Sequence, residues 1–351
     1  MELIPKTVDL STSRHIAVMN FIAACLIVVL HSSYSGNCLF RIVLGDGYLC
    51  RMAVPWFFIV SGYFLVGHAN EKGWYANAVR KRLRTIVLPF YIWLIVYKVF
   101  NYAVWKVQAG LGINSGFANP FSGKDIFSVL LGLTGVMPYE GVGVVWYLRM
   151  LFFLALLSPV IVAAVVRMKW GWVVFVFALY LGYRCAMSVG MLCHDGPFDY
   201  YFSLRGLAYF SLGVAIRFGI VKARCPYWLA FVGASLLVAR MISWQRGMPL
   251  LSSLCDFLMV PGLISLIWRA TEGIGLPRAL VNNSMALYLV HPIFIIISVG
   301  IIVTSGLRDS MYISPIVCMA RIVFVTGCSL GITELMRKCC PRPVSFMLGG
   351  R

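Results

Sequence analysis

Residues 15–33 read HIAVMNFIAACLIVVLHSS, an apolar stretch that contains Asn20 and ends in the polar triplet His31-Ser32-Ser33. A helix of about 20 mostly apolar residues spans the hydrocarbon core of a bilayer. The stretch is longer than the apolar part of a typical secretory signal peptide, and many equally apolar blocks follow it. We therefore interpret it as a retained first membrane helix.

The same kind of block recurs along the whole chain. Of the 351 residues, 61% are apolar and 12% are charged, and the mean hydropathy is +0.87. A soluble domain of this length cannot bury so much apolar surface in one core. The blocks are about 18–25 residues long and lack the alternation typical of barrel strands, so helices are the expected spanning structure.

We predict an all-α membrane protein with about ten transmembrane helices in one bundle and no soluble domain. The Gly-, Asn- and Pro-rich stretch 106–143 interrupts the spans, and its short apolar run 126–133 is predicted to be an interfacial or re-entrant helix. The ten predicted spans, with approximate boundaries, are 15–33, 49–68, 85–105, 144–166, 171–190, 201–220, 226–243, 249–268, 279–303 and 311–335.

The net charge is +18, from 30 Lys and Arg against 12 Asp and Glu. In a soluble protein this excess suggests nucleic-acid binding, but here most basic residues lie between apolar blocks, where membrane topology explains them better. No nucleic-acid partner is expected. The side that holds both termini carries most of the basic residues, which predicts that both termini are cytoplasmic.

Ionisable residues inside membrane helices are costly and are therefore candidates for function. His31 lies in the predicted outer half of the membrane, where a neutral imidazole can take a proton from a hydroxyl; an interfacial histidine bonded to a loop is the alternative. Asn20 lies about three turns earlier on the same face. In the ninth span Ser284, Tyr288 and His291 form a polar stripe, which a histidine used only in packing would also explain.

Three further sites carry arginine. The run Arg80-Lys81-Arg82-Leu83-Arg84 precedes the third span and is either a topology anchor on anionic lipid or a clamp for phosphate groups. Arg149 in the fourth span and Arg205 in the sixth need partners, so structural pairing and substrate binding are both open. The motifs of common soluble enzymes are absent from the sequence, and the cysteine spacing predicts no metal site.

Five short motifs, in this order, resemble the acyltransferase-3 family of bacterial integral membrane O-acyltransferases, which modify sugars of surface glycans. The resemblance covers nearly the full length of the chain. The motifs are Val28-Val29-Leu30-His31; Val54-Pro55-x-Phe57-Phe58-x-x-Ser61-Gly62-Tyr63; Arg80-Lys81-Arg82-Leu83-Arg84 before Pro89; Trp146-Tyr147-Leu148-Arg149 leading to Ser158-Pro159; and Asn283-Ser284 followed by Leu287-Tyr288-Leu289-Val290-His291-Pro292.

The resemblance implies transfer of an acyl group, usually acetyl, from cytoplasmic acyl-CoA to a glycan or lipid-linked saccharide at the bacterial inner membrane. His31 would be the catalytic residue, as general base or acyl carrier, and Arg80, Arg82 and Arg84 would bind the CoA phosphates. No permanently bound cofactor or metal is implied, membrane lipids are further expected partners, and the oligomeric state is open. The residues expected to bind substrate are Asn20, Ser61, Tyr63, Trp146, Arg149, Arg205, Tyr288 and His291.

The chain departs from the family at Asn20, where an arginine or lysine is common. Arg14 cannot replace that cation because about 25 Å of helix separates it from His31. We therefore expect the charge to come from another helix, with Arg149 and Arg205 as candidates. The alternative function is a transporter or flippase for a glycan or lipid-linked sugar, since a polar cavity with basic mouths would also line a transport path.

Overall fold

The protein is described by a computed structural model that covers residues 7–32, 49–110, 144–188, 203–221, 227–245, 249–305 and 314–349. Within these ranges the chain is helical apart from short turns and contains no strand, as the predicted all-α class requires. The described helices are α1 (Leu10–Ser32), α2 (Ala53–Leu65), α3 (Trp74–Arg82), α4 (Leu88–Gly110), α5 (Trp146–Leu156), α6 (Ser158–Met168), α7 (Trp170–Ser188), α8 (Leu204–Arg217), α9 (Tyr227–Gln245), α10 (Pro249–Ala270), α11 (Arg278–Val281), α12 (Ser284–Thr304), α13 (Pro315–Cys339) and α14 (Pro341–Met347).

Four helices in the described part of the chain are long and apolar enough to cross a bilayer: α1, the continuous helix Trp74–Gly110, Ser284–Ile302 and α13. Helices α5 and α6 together meet the same criterion but bend by 63°. Shorter apolar helices lie at Cys50–Leu65, Trp170–Ala186 and Met259–Ala270. The chain thus has the apolar helices of a multi-pass membrane protein, while ten crossings and cytoplasmic termini stay predictions.

Two segments differ from the predicted spans for identifiable reasons. The span 144–166 is bent because Pro159, in the first turn of α6, has no N–H to continue the hydrogen bonds of α5. The span 85–105 is the middle of a longer helix, in which a π-helix at Leu83–Val87 joins α3 to α4. The helix also covers 106–110 of the predicted loop, whereas the rest of that loop, including 126–133, lies outside the described residues.

Small residues bring α2 and α8 into backbone contact. A Cβ atom on Gly62 would lie 2.2 Å from the carbonyl oxygen of Phe210, and one on Gly213 would lie 2.0 Å from that of Ile59. Only glycine permits this approach, which is the usual way in which membrane helices pack closely. The two helices run in the same direction, so Leu65 and Arg217 end at the same side of the bundle.

Helix α1 lies inside the bundle. It packs against α2, α12 and α13, and its side chains Met19, Ala23, Ala24 and Val28 are fully buried. The small alanines let the neighbouring helices approach its axis, and the contact with α12 and α13 sets the surroundings of its last turn, which contains His31.

Candidate active site

His31 and His291 form a pair in which the ring centroids are 5.4 Å apart. His31 is the penultimate residue of α1 and is exposed, whereas His291 in α12 is completely buried. The structure therefore brings two histidines from predicted spans one and nine to one place. One of them is accessible to a substrate, and the other lies behind it.

The hydrogen bonding of His291 defines its chemistry. Its Nδ1 donates to the carbonyl oxygen of Leu287 at 3.0 Å, and because a carbonyl can only accept, Nδ1 carries the proton of the neutral ring. The Nε2 atom is then an acceptor, and it is buried without a hydrogen-bond partner among the described residues. Leaving a buried acceptor without a hydrogen bond costs about 1–3 kcal/mol of folding stability. Such unsatisfied groups are rare in native proteins, and a functional role is one reason for keeping them.

A line of aromatic side chains leads from this pair to α2. The ring of Tyr288 lies 6.3 Å from that of His291 and 5.8 Å from that of Tyr147, whose hydroxyl is 3.3 Å from Oγ of Ser61. The Tyr288 hydroxyl donates to the carbonyl oxygen of Val144. The predicted residues Ser61, Tyr288 and His291 are thus connected through Tyr147, which is 5% exposed and was part of a motif but not a predicted site residue.

Two other predicted residues lie away from this line. Trp146 is 36% exposed and contacts the ring of Phe58, because the helix directs it away from the buried face that holds Tyr147. Tyr63 lies near the end of α2, where its ring faces the guanidinium of Arg217 at 4.9 Å.

Asn20, at a position where the resemblance implies a cation, makes a neutral contact. Its Oδ1 accepts a hydrogen bond from Nε1 of Trp56 at 2.9 Å. The Trp56 ring lies 6.0 Å from Trp268, which in turn stacks on His15 at 3.9 Å. Asn20 is about 16 Å along α1 from His31, so it belongs to a different part of the bundle.

Arg321 of α13 is the buried cation beside the histidine pair. It is 3% exposed, its Nη1 donates to the carbonyl oxygen of Ser32 at 3.0 Å, and its Nε donates to Oγ of Ser298 at 2.9 Å. Ser298 lies about two turns after His291 on the same face of α12. The sequence analysis missed this residue, although an arginine inside the apolar block 311–335 is itself a signal.

Arg149 and Arg205 were the two arginines expected to replace the missing cation. Arg205 donates from Nη2 to the carbonyl oxygen of Arg51 at 3.3 Å and faces the ring of Tyr209 at 6.0 Å. Arg149 is partly buried in α5. Arg321 contacts the backbone of Ser32, the residue after His31. Arg321 is therefore the more direct source of positive charge near His31.

The basic run is divided between two neighbouring cavities. Arg80, Lys81 and Arg84 line a cavity of about 250 Å³ together with Asn77 and Thr85. Arg82 lines a second cavity of about 240 Å³, which it shares with Lys81. Arg80 and Arg84 are four residues apart and share a helix face, whereas Arg82 points to another one. The predicted set of three arginines is therefore arranged as a pair and a single residue.

The C-terminal segment packs on the helix that carries these arginines. Nε1 of Trp93 donates to the carbonyl oxygen of Met347 at 2.9 Å, and Val344 and Leu348 are buried. Gly349 has φ of 73°, and a Cβ atom there would lie 2.4 Å from the carbonyl oxygen of Thr85. The chain end thus supports the π-helix, an element frequent at functional sites.

Other buried polar residues also went unpredicted. Lys98 is 3% exposed and Asn101 is 7% exposed within α4, and Arg217 is 8% exposed at the end of α8. Each was visible as a polar residue within or beside an apolar block. The described residues contain no group of three or more His, Cys, Asp or Glu side chains suited to binding a metal ion.

A family model described as an acyltransferase domain matches residues 16–333, a range that includes the histidine pair, Arg321 and both basic cavities. No significant match was found among curated proteins or among solved structures. Since the matched range covers most of the chain and the described residues include helices able to cross a membrane, the chain belongs to the acyltransferase-3 family and is a membrane acyltransferase.

Proposed function

We propose that the protein transfers an acyl group, with acetyl as the first candidate, from cytoplasmic acyl-CoA to a hydroxyl of a cell-envelope or exported glycan. The observation that carries this proposal is the accessible His31 beside the buried, open Nε2 of His291. Such an arrangement suits acid–base chemistry on a hydroxyl, and the family match gives the reaction class.

In the proposed reaction the hydroxyl oxygen attacks the thioester carbonyl carbon while His31 takes the hydroxyl proton. The carbon–sulfur bond then breaks, and the imidazolium returns the proton to the leaving thiolate of CoA. The carbonyl oxygen becomes negative during the attack. Arg321 places a positive charge at the backbone carbonyl of Ser32, the residue after His31. There it stabilises the negative charge that develops on the thioester carbonyl oxygen. Attack by His31 itself, through an acyl-imidazole, uses the same groups in two steps.

His291 supplies a second neutral imidazole at this position. Its protonated Nδ1 is held by the backbone of its own helix, so only Nε2 is left to accept a hydrogen bond. We assign it to orienting either the acceptor hydroxyl or the ring of His31. Tyr288, Tyr147 and Ser61 extend the polar line and are proposed to border the path of the acyl group.

The donor enters at the end of the bundle that holds the basic run. Guanidinium groups match the oxygens of phosphate, and Arg80, Lys81 and Arg84 line the same cavity. This cavity suits the diphosphate of CoA. Asn20, Tyr63, Trp146, Arg149 and Arg205 stay predicted substrate residues.

The test is acyl transfer by His31→Ala, measured with purified protein and by mass spectrometry of the surface glycan of cells that carry the variant. Without the base, we expect kcat to fall by about 100-fold or more, while the protein still accumulates in the membrane. His15→Gln is a matched control, because His15 lies on the same helix and glutamine can still bond to Thr271, the partner of His15 at 2.9 Å.

Wild-type decoration of the glycan in His31→Ala would disprove the assignment of His31. A transporter or flippase predicts a different result. In that case purified protein would bind no acyl-CoA, and the translocated sugar would carry no added acyl group.

A further inference from the structure

Arg217 is a buried cation with unused hydrogen-bond donors. It ends α8 and is 8% exposed. Its Nε and Nη1 atoms are buried and make no hydrogen bond within the described part of the chain, and no carboxylate there pairs with it. A guanidinium removed from water normally keeps its donors occupied and has a counter-charge. Two buried donors of Arg217 are therefore open to an anion.

The contact with Tyr63 does not supply what is missing. The guanidinium carbon lies 4.9 Å from the centre of the Tyr63 ring, a favourable cation–π distance. This interaction keeps the guanidinium close to the ring, but it leaves Nε and Nη1 without a hydrogen-bond acceptor. It is also weaker than the loss of hydration that a buried cation suffers. Tyr63 therefore orients Arg217 and leaves its donors for another group.

The backbone beside Arg217 is shaped to let it approach. A Cβ atom on Gly67 would lie 3.1 Å from Nη2 of Arg217, so this glycine leaves the space that the guanidinium occupies. Phe64, Leu65 and His68, from the same segment at the end of α2, line the cavity that contains Lys81 and Arg82. Glu71 also lines this cavity, where it pairs with His68 at 2.7 Å. Arg217 thus lies next to the segment that borders this cavity.

We propose that Arg217 and Tyr63 form a pocket for a terminal phosphate monoester, which is the 3′-phosphate of CoA if the proposed acyl-CoA donor is correct. Because Arg217 is almost completely enclosed, only a terminal group can reach it. A diphosphate, which continues on both sides, fits the more open cavity of Arg80, Lys81 and Arg84. One donor molecule then contacts two basic sites. The headgroup of phosphatidic acid carries the same chemistry and is the other source.

The experiment measures binding of CoA and of 3′-dephospho-CoA to the full-length protein in detergent, for the wild type and Arg217→Met. We expect the wild type to prefer CoA by about tenfold, which is the effect of one charge-assisted phosphate contact, and Arg217→Met to bind both equally. Arg167→Met, which removes an exposed arginine at the end of α6, should keep the preference. Arg217→Lys should keep part of it.

A stability measurement separates ligand binding from a structural role. Because Arg217 is buried without a counter-charge, Arg217→Met should leave the Tm of the ligand-free protein unchanged or raise it. A structural arginine would give a lower Tm and no change in the preference for CoA, and that result overturns the proposal.

Lipid binding distinguishes the two phosphate sources. Retention of phosphatidic acid is compared by native mass spectrometry for the same variants. If Arg217→Met keeps the CoA preference but loses the lipid, the pocket binds a headgroup and its assignment to CoA is wrong. If the wild type binds neither nucleotide, the acyl-CoA function fails, and the lipid result alone decides whether the phosphate pocket exists. Unchanged lipid and nucleotide binding in Arg217→Met overturns the pocket itself.

Discussion

Replacing Arg321 by methionine tests whether the last long helix positions His31, the proposed catalytic histidine. The change removes the hydrogen bonds to the Ser32 carbonyl oxygen at 3.0 Å and to Oγ of Ser298 at 2.9 Å. Hydrogen bonds from a charged donor contribute about 1.5–3 kcal/mol each. The loss is offset because a buried guanidinium also costs several kcal/mol of hydration, so a methionine of similar volume often leaves stability nearly unchanged.

Activity should respond more strongly than stability. The Ser32 carbonyl lies next to His31, and releasing it lets the last turn of α1 move relative to the bound acyl group. A displacement of about 1 Å at a reacting group can lower the rate about 100-fold. We therefore expect Arg321→Met to reduce kcat by about that factor with a smaller change in KM for acyl-CoA, because the sites proposed for the donor's phosphates do not include Arg321.

Two further variants make this measurement decisive. Ser298→Ala removes only the acceptor of Nε and should lower kcat by about tenfold or less, since one neutral side chain is lost. Arg321→Lys keeps the charge but cannot reach two acceptors with the same geometry, so its kcat should lie between those of Arg321→Met and the wild type. A wild-type kcat in Arg321→Met, in protein with an unchanged Tm, would refute the positioning role.

Other parts of the structure give three more expectations. Gly62→Ala should separate α2 from α8 and lower Tm strongly, since its Cβ would lie 2.2 Å from a carbonyl oxygen, whereas Gly300→Ala, with open space around it, should not. Tyr147→Phe removes the hydroxyl that contacts Ser61 of α2 and should lower kcat/KM by about 2–10-fold in transfer assays. Hydrogen bonds from Thr12 to the Asp9 carboxylate cap α1 and lower the pKa of Asp9, so the cap is fully present above the usual aspartate pKa and is lost as pH falls through the lowered pKa. Amide exchange at Thr12 should accelerate as pH falls through that lowered pKa, and Asp9→Ala should show no such step.

The sequence predicts elements better than it predicts contacts between them. Helices lie in the described parts of the predicted spans because long apolar blocks have few alternatives in a bilayer. The bend before Pro159 was not predicted, since the two halves read as one apolar block. The role of Tyr147 was also missed, because only the packing of α5 against α2 and α12 shows that it, rather than Trp146, faces the interior.

The basic run shows the same limit on a smaller scale. Arg80, Arg82 and Arg84 were predicted as one phosphate-binding set, although residues two apart on a helix point to different faces. The cavities themselves could not be predicted, since their walls come from the segment after α2 and from residues of the π-helix. Arg321 was visible as a charge in an apolar block, but its position beside His31 depends on how α13 packs on α1.

The contacts of Asn20 favour a neutral side chain at a position where the resemblance implies a cation. Its Oδ1 accepts from the buried indole N–H of Trp56, and an arginine or lysine there would face that donor and deprive it of an acceptor, at a cost of about 1–3 kcal/mol. Arg321 avoids this conflict because it meets α1 at a backbone carbonyl, on the residue after His31. The positive charge thus lies at the end of α1 that carries the histidine. We therefore expect acyl transfer to depend on charge at residue 321 rather than at residue 20.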